Sequence, residues 1–178
     1  FAPNVTGTIK LTSGELLPQL SVTIQGPGET VLTVARSDAA GTPNFRVFHV
    51  DSFSSVTISG LTFSNGSTTT GSGGAILDEG TLTLRDCYIE DNSSQNGGGG
   101  VENTGMLTIE RCLFIRNHGP GFVGGSLINS LKGTANISNS TFAESDASDG
   151  AGIYSEGTLT LTNCTIANNT CTRDGCGV

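Results

Sequence analysis

The chain of 178 residues has no tryptophan, one methionine and two histidines, and it sets only eight lysines and arginines against sixteen acidic residues. Nucleic acids and anionic membrane surfaces are bound through clustered Lys and Arg, so a net charge of −8 argues against both as partners. No apolar run is long enough to span a bilayer, so membrane insertion is not expected. No stretch of helix length keeps a 3.6-residue apolar period, which leaves no amphipathic helix to place. Aromatics make up 6% and apolar residues 35%. In an ordinary globular chain so thin a supply of core material would raise the question of disorder.

What is present is a short phrase that returns. Val56-Thr57-Ile58, Leu82-Thr83-Leu84, Leu107-Thr108-Ile109, Ala135-Asn136-Ile137 and Leu159-Thr160-Leu161 begin equivalent segments, at steps of 26, 25, 28 and 24 residues. Periods of this size mark repeat architectures. Within each unit three short runs alternate apolar and polar residues, the period of strands. In the unit beginning at Gly73 these are Gly-Ala-Ile, Leu-Thr-Leu and the Tyr-Ile pair after Cys87. Between the runs stand Asp, Asn, Ser and many of the 26 glycines, which suit tight corners.

A three-strand unit cannot bury its apolar face alone, but stacking parallel units buries continuous columns. The expected inward columns are Val56, Leu82, Leu107, Ala135 and Leu159; Ile58, Leu84, Ile109, Ile137 and Leu161; Phe63, Ile89, Phe114, Phe142 and Ile166; and Val50, Ile76, Val101, Leu127 and Ile153. Crossovers between parallel strands are nearly always right-handed. The expected fold is therefore all-β: a right-handed parallel β-helix of about six rungs, each roughly 25 residues. Residues 1–178 should form a single domain, with 1–55 as irregular N-terminal rungs and 56–178 as regular repeats. Val22 precedes Val56 by 34 residues, so that rung carries a long insertion, with loops expected at Gly26-Pro27-Gly28 and from Ser37 to Asn44. Phe1 to Leu11 already reads as strand, and no polar cap is evident at either end.

The Gly-Gly-Ala-Ile at 73–76 and the Phe-x-x-Asn at 114–117 resemble the paired motifs of chlamydial polymorphic outer-membrane proteins. The wider phrase, GG-x-I followed by G-T-L-T-L-x-x-C/S-x-I-x-x-N, is similar to that of bacterial secreted or surface β-helix repeat proteins. The resemblance covers nearly the whole chain. It implies the β-helical fold and an extracellular or cell-surface location, and it leaves the activity open, because one fold hosts many functions.

Columns of polar residues are the candidate sites. Gly66, Asn92, Asn117, Ser145 and Asn169 fall at the corner after the third strand, where stacked amides can pass hydrogen bonds between rungs. Asp78, Asn103, Asn129 and Ser155 form a second corner column. Thr57, Thr83, Thr108, Asn136 and Thr160 face outward; a regular Thr array suggests ice binding, but Met106, Arg85 and Glu110 break the flanking columns, and Thr also simply favours strands. Cys87, Cys112 and Cys164 share a column with Leu61 and Ser140 and read as buried thiols. Cys171 and Cys176 flank a polar loop. A disulfide there suits an extracellular protein, while free thiols or a metal pair remain open. Asn-x-Ser/Thr triplets mark Asn4, Asn65, Asn92, Asn139 and Asn168 as candidate glycosylation acceptors, with Asn136 and Asn163 on strands.

The expected function is a non-enzymatic structural module, the rod of a surface appendage, adhesin or head-to-tail filament, needing no cofactor or metal. Its expected partners are further rungs, by end-to-end self-association or continuation of a longer β-helix, and surface glycans. The competing reading is a polysaccharide-binding or polysaccharide-cleaving, pectate-lyase-like β-helix, which requires carboxylates clustered beside Arg or Lys. Asp86, Glu90 and Asp91 near Arg85 and Arg111 are the residues that meet that description.

Overall fold

The computed structural model describes residues 1–2 and 4–178; Pro3, inside the strand-like opening phrase, lies outside the described residues. Each regular turn of chain folds into four short strands. The turn that begins at Ile76 contains Ile76–Asp78, Thr81–Arg85, Tyr88–Glu90 and Ser93–Ser94. The next contains Val101–Asn103, Met106–Glu110, Leu113–Ile115 and His118–Val123. Every strand pairs in parallel with its equivalent one turn away. The result is four sheets of five, six, seven and five strands, coiled into a right-handed parallel β-solenoid.

The register follows the repeated phrase. Leu82 pairs with Val56 and with Leu107, Leu107 with Ala135, and Ala135 with Leu159. The 34-residue step also holds, with Val22 opposite Val56. Gly7–Leu11 lies against Leu32–Arg36 in the third sheet, and Leu16 bridges in parallel to Phe48, so the irregular first rungs already touch the first sheet. Residues 26–31 and 37–47 are the loops between.

Two expectations are corrected. The rung has a fourth strand, at Ser67–Thr68, Ser93–Ser94, His118–Val123, Asp146–Asp149 and Thr170–Cys171. These runs are short and mostly polar, so no apolar alternation announces them. Phe48, not Val50, stacks on Ile76; Val50 sits on Asp78. A slip of two residues keeps the same face inward, so alternation alone cannot separate the two registers.

The core is the set of stacked inward columns. Leu82, Leu84, Ile89, Ile76 and their equivalents are 0–2% exposed in the central rungs. Phe114 and Phe142 stack with ring centroids 4.5 Å apart. Thin columns are enough here because each apolar side chain is covered by its counterparts above and below. Corners are made by left-handed residues in two further columns: Gly60, Asp86, Arg111, Asn139 and Asn163 after the second sheet, and Asn65, Asp91, Arg116, Glu144 and Asn168 after the third, all with φ between 50° and 62°. A Cβ on Gly99, at the corner into the first sheet, would lie 2.5 Å from the carbonyl oxygen of His118, so only glycine fits.

Candidate functional site

The corner amides form an internal ladder. The Asn92 N–H and Nδ2 both donate to Asn117 Oδ1, at 3.2 and 3.1 Å. Asn92 Oδ1 accepts from the Gly66 N–H at 2.9 Å. The Asn117 N–H donates to Ser145 Oγ, and the Ser145 N–H to Asn169 Oδ1. Asn92, Asn117 and Ser145 are 0–1% exposed, so the column faces the interior rather than a ligand. Along the first sheet, Asn103 Nδ2 donates to Asn129 Oδ1, and Asn129 Nδ2 to Ser155 Oγ.

The carboxylates singled out for catalysis are tied to arginines one rung away. Arg111 reaches both oxygens of Asp86 at 2.7 and 3.0 Å, and Arg116 both oxygens of Asp91 at 2.8 and 2.9 Å. Arg116 also bonds Glu90, and Arg85 bonds Glu110 at 3.0 Å. The Arg111 guanidinium holds the Asp86 carboxyl below its ordinary pKa, and Arg85, then Arg111, do the same for Glu110. A general acid working near neutrality needs a raised pKa, the opposite arrangement. The stripe is a set of cross-rung ion pairs at the left-handed corners.

Sequence reasoning missed a second polar cluster. Glu15 bonds Arg46 at 3.1 Å and His49 at 3.3 Å, and His49 bonds Glu79 at 2.9 Å. Beside it lies a cleft of about 360 Å³ lined by Glu15, Asn44, Phe45, Arg46, Thr68 to Thr70 and Gly71. Glu15 and Arg46 are 31 residues apart in the irregular first rungs, a step the regular period does not predict. On the fourth sheet His118 pairs with Asp146. No group of three or more metal-ligating side chains occurs among the described residues.

The family model for the right-handed β-helix region matches residues 44–178. The chain belongs to that family. Neither the curated proteins nor the solved structures contain a match. The match takes in all the regular rungs of this β-helix and starts next to the cleft.

The cysteines of the β-helix divide by position. Cys171 and Cys176 are joined by a disulfide, with Cα atoms 5.2 Å apart. Cys87, Cys112 and Cys164 are free. Each thiol donates to the carbonyl two residues before it, and Ser140 Oγ does the same to Ser138 at 2.8 Å, which explains how a single Ser stands in for Cys in this column. The adjacent Cys87 thiol, together with burial, pushes Cys112 well above its ordinary pKa.

The glycosylation triplets also divide. Asn92 is corrected: it is 1% exposed, and its Nδ2 donates to Phe63 O, Glu90 O and Asn117 Oδ1, so a glycan on it is incompatible with this fold. Asn65 is half-buried, with Nδ2 on the Arg36 carbonyl. Asn4, Asn136, Asn139, Asn163 and Asn168 are exposed.

Proposed function

We propose that this β-helix is a non-enzymatic structural module of the extracellular space or cell surface, a rod in an appendage or adhesin. The observation that carries the reading is where the polar chemistry goes. Corner amides bond the next rung inside, and surface carboxylates are matched to arginines of the next rung outside. Such groups hold a rod together and leave few free for turnover. The Gly-Gly-Ala-Ile and Phe-x-x-Asn motifs support a surface repeat protein of the chlamydial type, and the Cys171–Cys176 disulfide suits an oxidising compartment. The half-exposed apolar columns at the two end faces suit a second copy stacked end to end.

The cleft at Glu15, Phe45 and Arg46 favours one alternative, a polysaccharide-binding β-helix. Its paired charges and threonine hydroxyls offer donors and acceptors beside an aromatic ring. A binding assay on acidic polysaccharides tests the cleft, with no retention expected of a structural rod, and an activity screen on the same polymers, with and without Ca²⁺, tests cleavage. No turnover is expected. Turnover that disappears in Asp86→Ala or Asp91→Ala would overturn the structural reading.

A further inference from the structure

Asp78 stands where an amide belongs. It is fully buried at the head of the first-sheet corner column and in register with Asn103, which is in register with Asn129. Asp78 and Asn103 share one pattern at the first oxygen. Asp78 Oδ1 accepts from the Gly80 N–H at 3.0 Å, two residues on, as Asn103 Oδ1 accepts from the Gly105 N–H at 3.0 Å. The remaining atom of each asparagine is a donor. Asn103 Nδ2 gives hydrogen bonds to Asn129 Oδ1 and Thr134 O, and Asn129 Nδ2 to Ser155 Oγ and Thr158 O. Thr134 is in register with Met106. Carried back one rung, the pattern sets Asp78 Oδ2 toward Asn103 Oδ1 and the Met106 carbonyl, both acceptors. Asp78 Oδ2 is buried without a partner. A carboxylate oxygen there is an acceptor facing acceptors, whereas an O–H completes the ladder as the amides do.

We infer that Asp78 is a neutral carboxylic acid in the folded protein, donating its proton along the ladder toward Asn103, and that it makes the junction between the irregular first rungs and the regular ones a pH-sensitive joint. The charged groups around it leave this intact. On its own turn Glu79 points outward to His49. On the turn before, His49 is held between Glu15 and Glu79, and Asp51 is engaged with Ser52 and Phe53. On the turn after, Glu102 accepts from Ser130. In the adjoining second-sheet strand, Arg85 is turned to Glu110. Burial is the main cause that pushes the Asp78 carboxyl up to about 7, and Glu79 adds to it, against the Gly80 N–H and His49.

The sign follows from linkage. The unfolded carboxyl titrates near 3.8 and the folded one near 7, so between those values the folded state holds one more proton. Stability from this group is complete below the unfolded value, falls as pH rises through the window, and is level above it. Each pH unit inside the window raises the unfolding equilibrium constant about tenfold.

The test is thermal and denaturant unfolding of the wild type, Asp78→Asn and the surface control Glu79→Gln between pH 4 and 9, with infrared spectroscopy for a protonated-carboxyl C=O band near neutral pH. Asp78→Asn is expected to remove the loss between pH 4 and 7, to exceed the wild type at pH 8, and to lack the band near neutral pH, while Glu79→Gln, which removes only a minor cause of the shift, keeps the loss over a slightly narrower window. An Asp78→Asn slope equal to the wild type's, or a wild-type spectrum without the band at pH 5, would overturn the inference. Should Asp78→Asn fail to fold, that too counts against an amide-like role, and the wild-type band still reads the protonation state directly.

Discussion

At the scale of single residues, stacking makes some side chains carry two rungs at once. Leu107 is 1% exposed between Leu82 and Ala135. Leu107→Ala is expected to cost about 2–5 kcal/mol in denaturant unfolding, the range for a buried leucine. Leu107→Asp should not fold, because no donor stands in the column to meet the charge. Asn117 accepts twice from Asn92 and donates to Ile89 O. Asn117→Ala should cost about 1–3 kcal/mol through the groups it strands, and a melting point equal to the wild type's would show that the ladder carries no stability. The surface acids act in the opposite pH direction to Asp78. Asp86 and Glu110 have folded pKa values below their ordinary 3.8 and 4.5. Their contribution is present above those values and lost as pH falls below them. It should appear as a drop in melting temperature in acid, small because the pairs are exposed, and smaller still in high salt.

At the scale of elements, the corners decide how the strands are joined. Left-handed backbone costs a residue with a Cβ roughly 1–2 kcal/mol, and glycine escapes most of that. Glu144 sits there with φ 52° and is exposed. Glu144→Gly is expected to raise the melting temperature slightly. Arg116→Gly, at the same corner with the same φ of 52°, should not, because it also loses the two bonds to Asp91. Equal gains from both would mean that the ion pairs contribute nothing. The strands of the first three sheets were legible because alternation follows the pleat. The fourth sheet was not: Ser93–Ser94 is held by its neighbours' backbone and carries no apolar residue. The cleft beside Arg46 was illegible for a related reason, since Glu15 meets Arg46 through the bridge of Leu16 to Phe48, a single pairing that no repeated phrase announces.

At the scale of the whole molecule, the two end faces differ from the middle. Ile9, Val22 and Ile24 at one end and Leu159 and Ile166 at the other are only partly covered, and Leu161 is 37% exposed. If copies stack on these faces, electron microscopy at high concentration should show filaments with an axial repeat of roughly 30 Å, set by six rungs at the inter-strand spacing. Monodisperse particles at every concentration would remove end-to-end stacking. Exposed Asn139 and Asn163 share one corner column and Asn168 stands in the next. Expression in a glycosylating host should therefore add mass on that edge and never at Asn92.

The repeat by itself determined the coil, the period, the inward columns and the identity of the corner amides. In a stacked solenoid each residue's neighbours are its own equivalents one period away, so sequence spacing is spatial contact. Only the tertiary structure decided what breaks that equivalence: Phe48 in place of Val50, the polar fourth strand, the Glu15–Arg46 contact and the burial of one Asp78 carboxyl oxygen without a partner. Each depends on which atom faces which across a rung. A two-residue slip, a polar run or an Asp for an Asn leaves the periodic pattern unchanged while reversing the local chemistry.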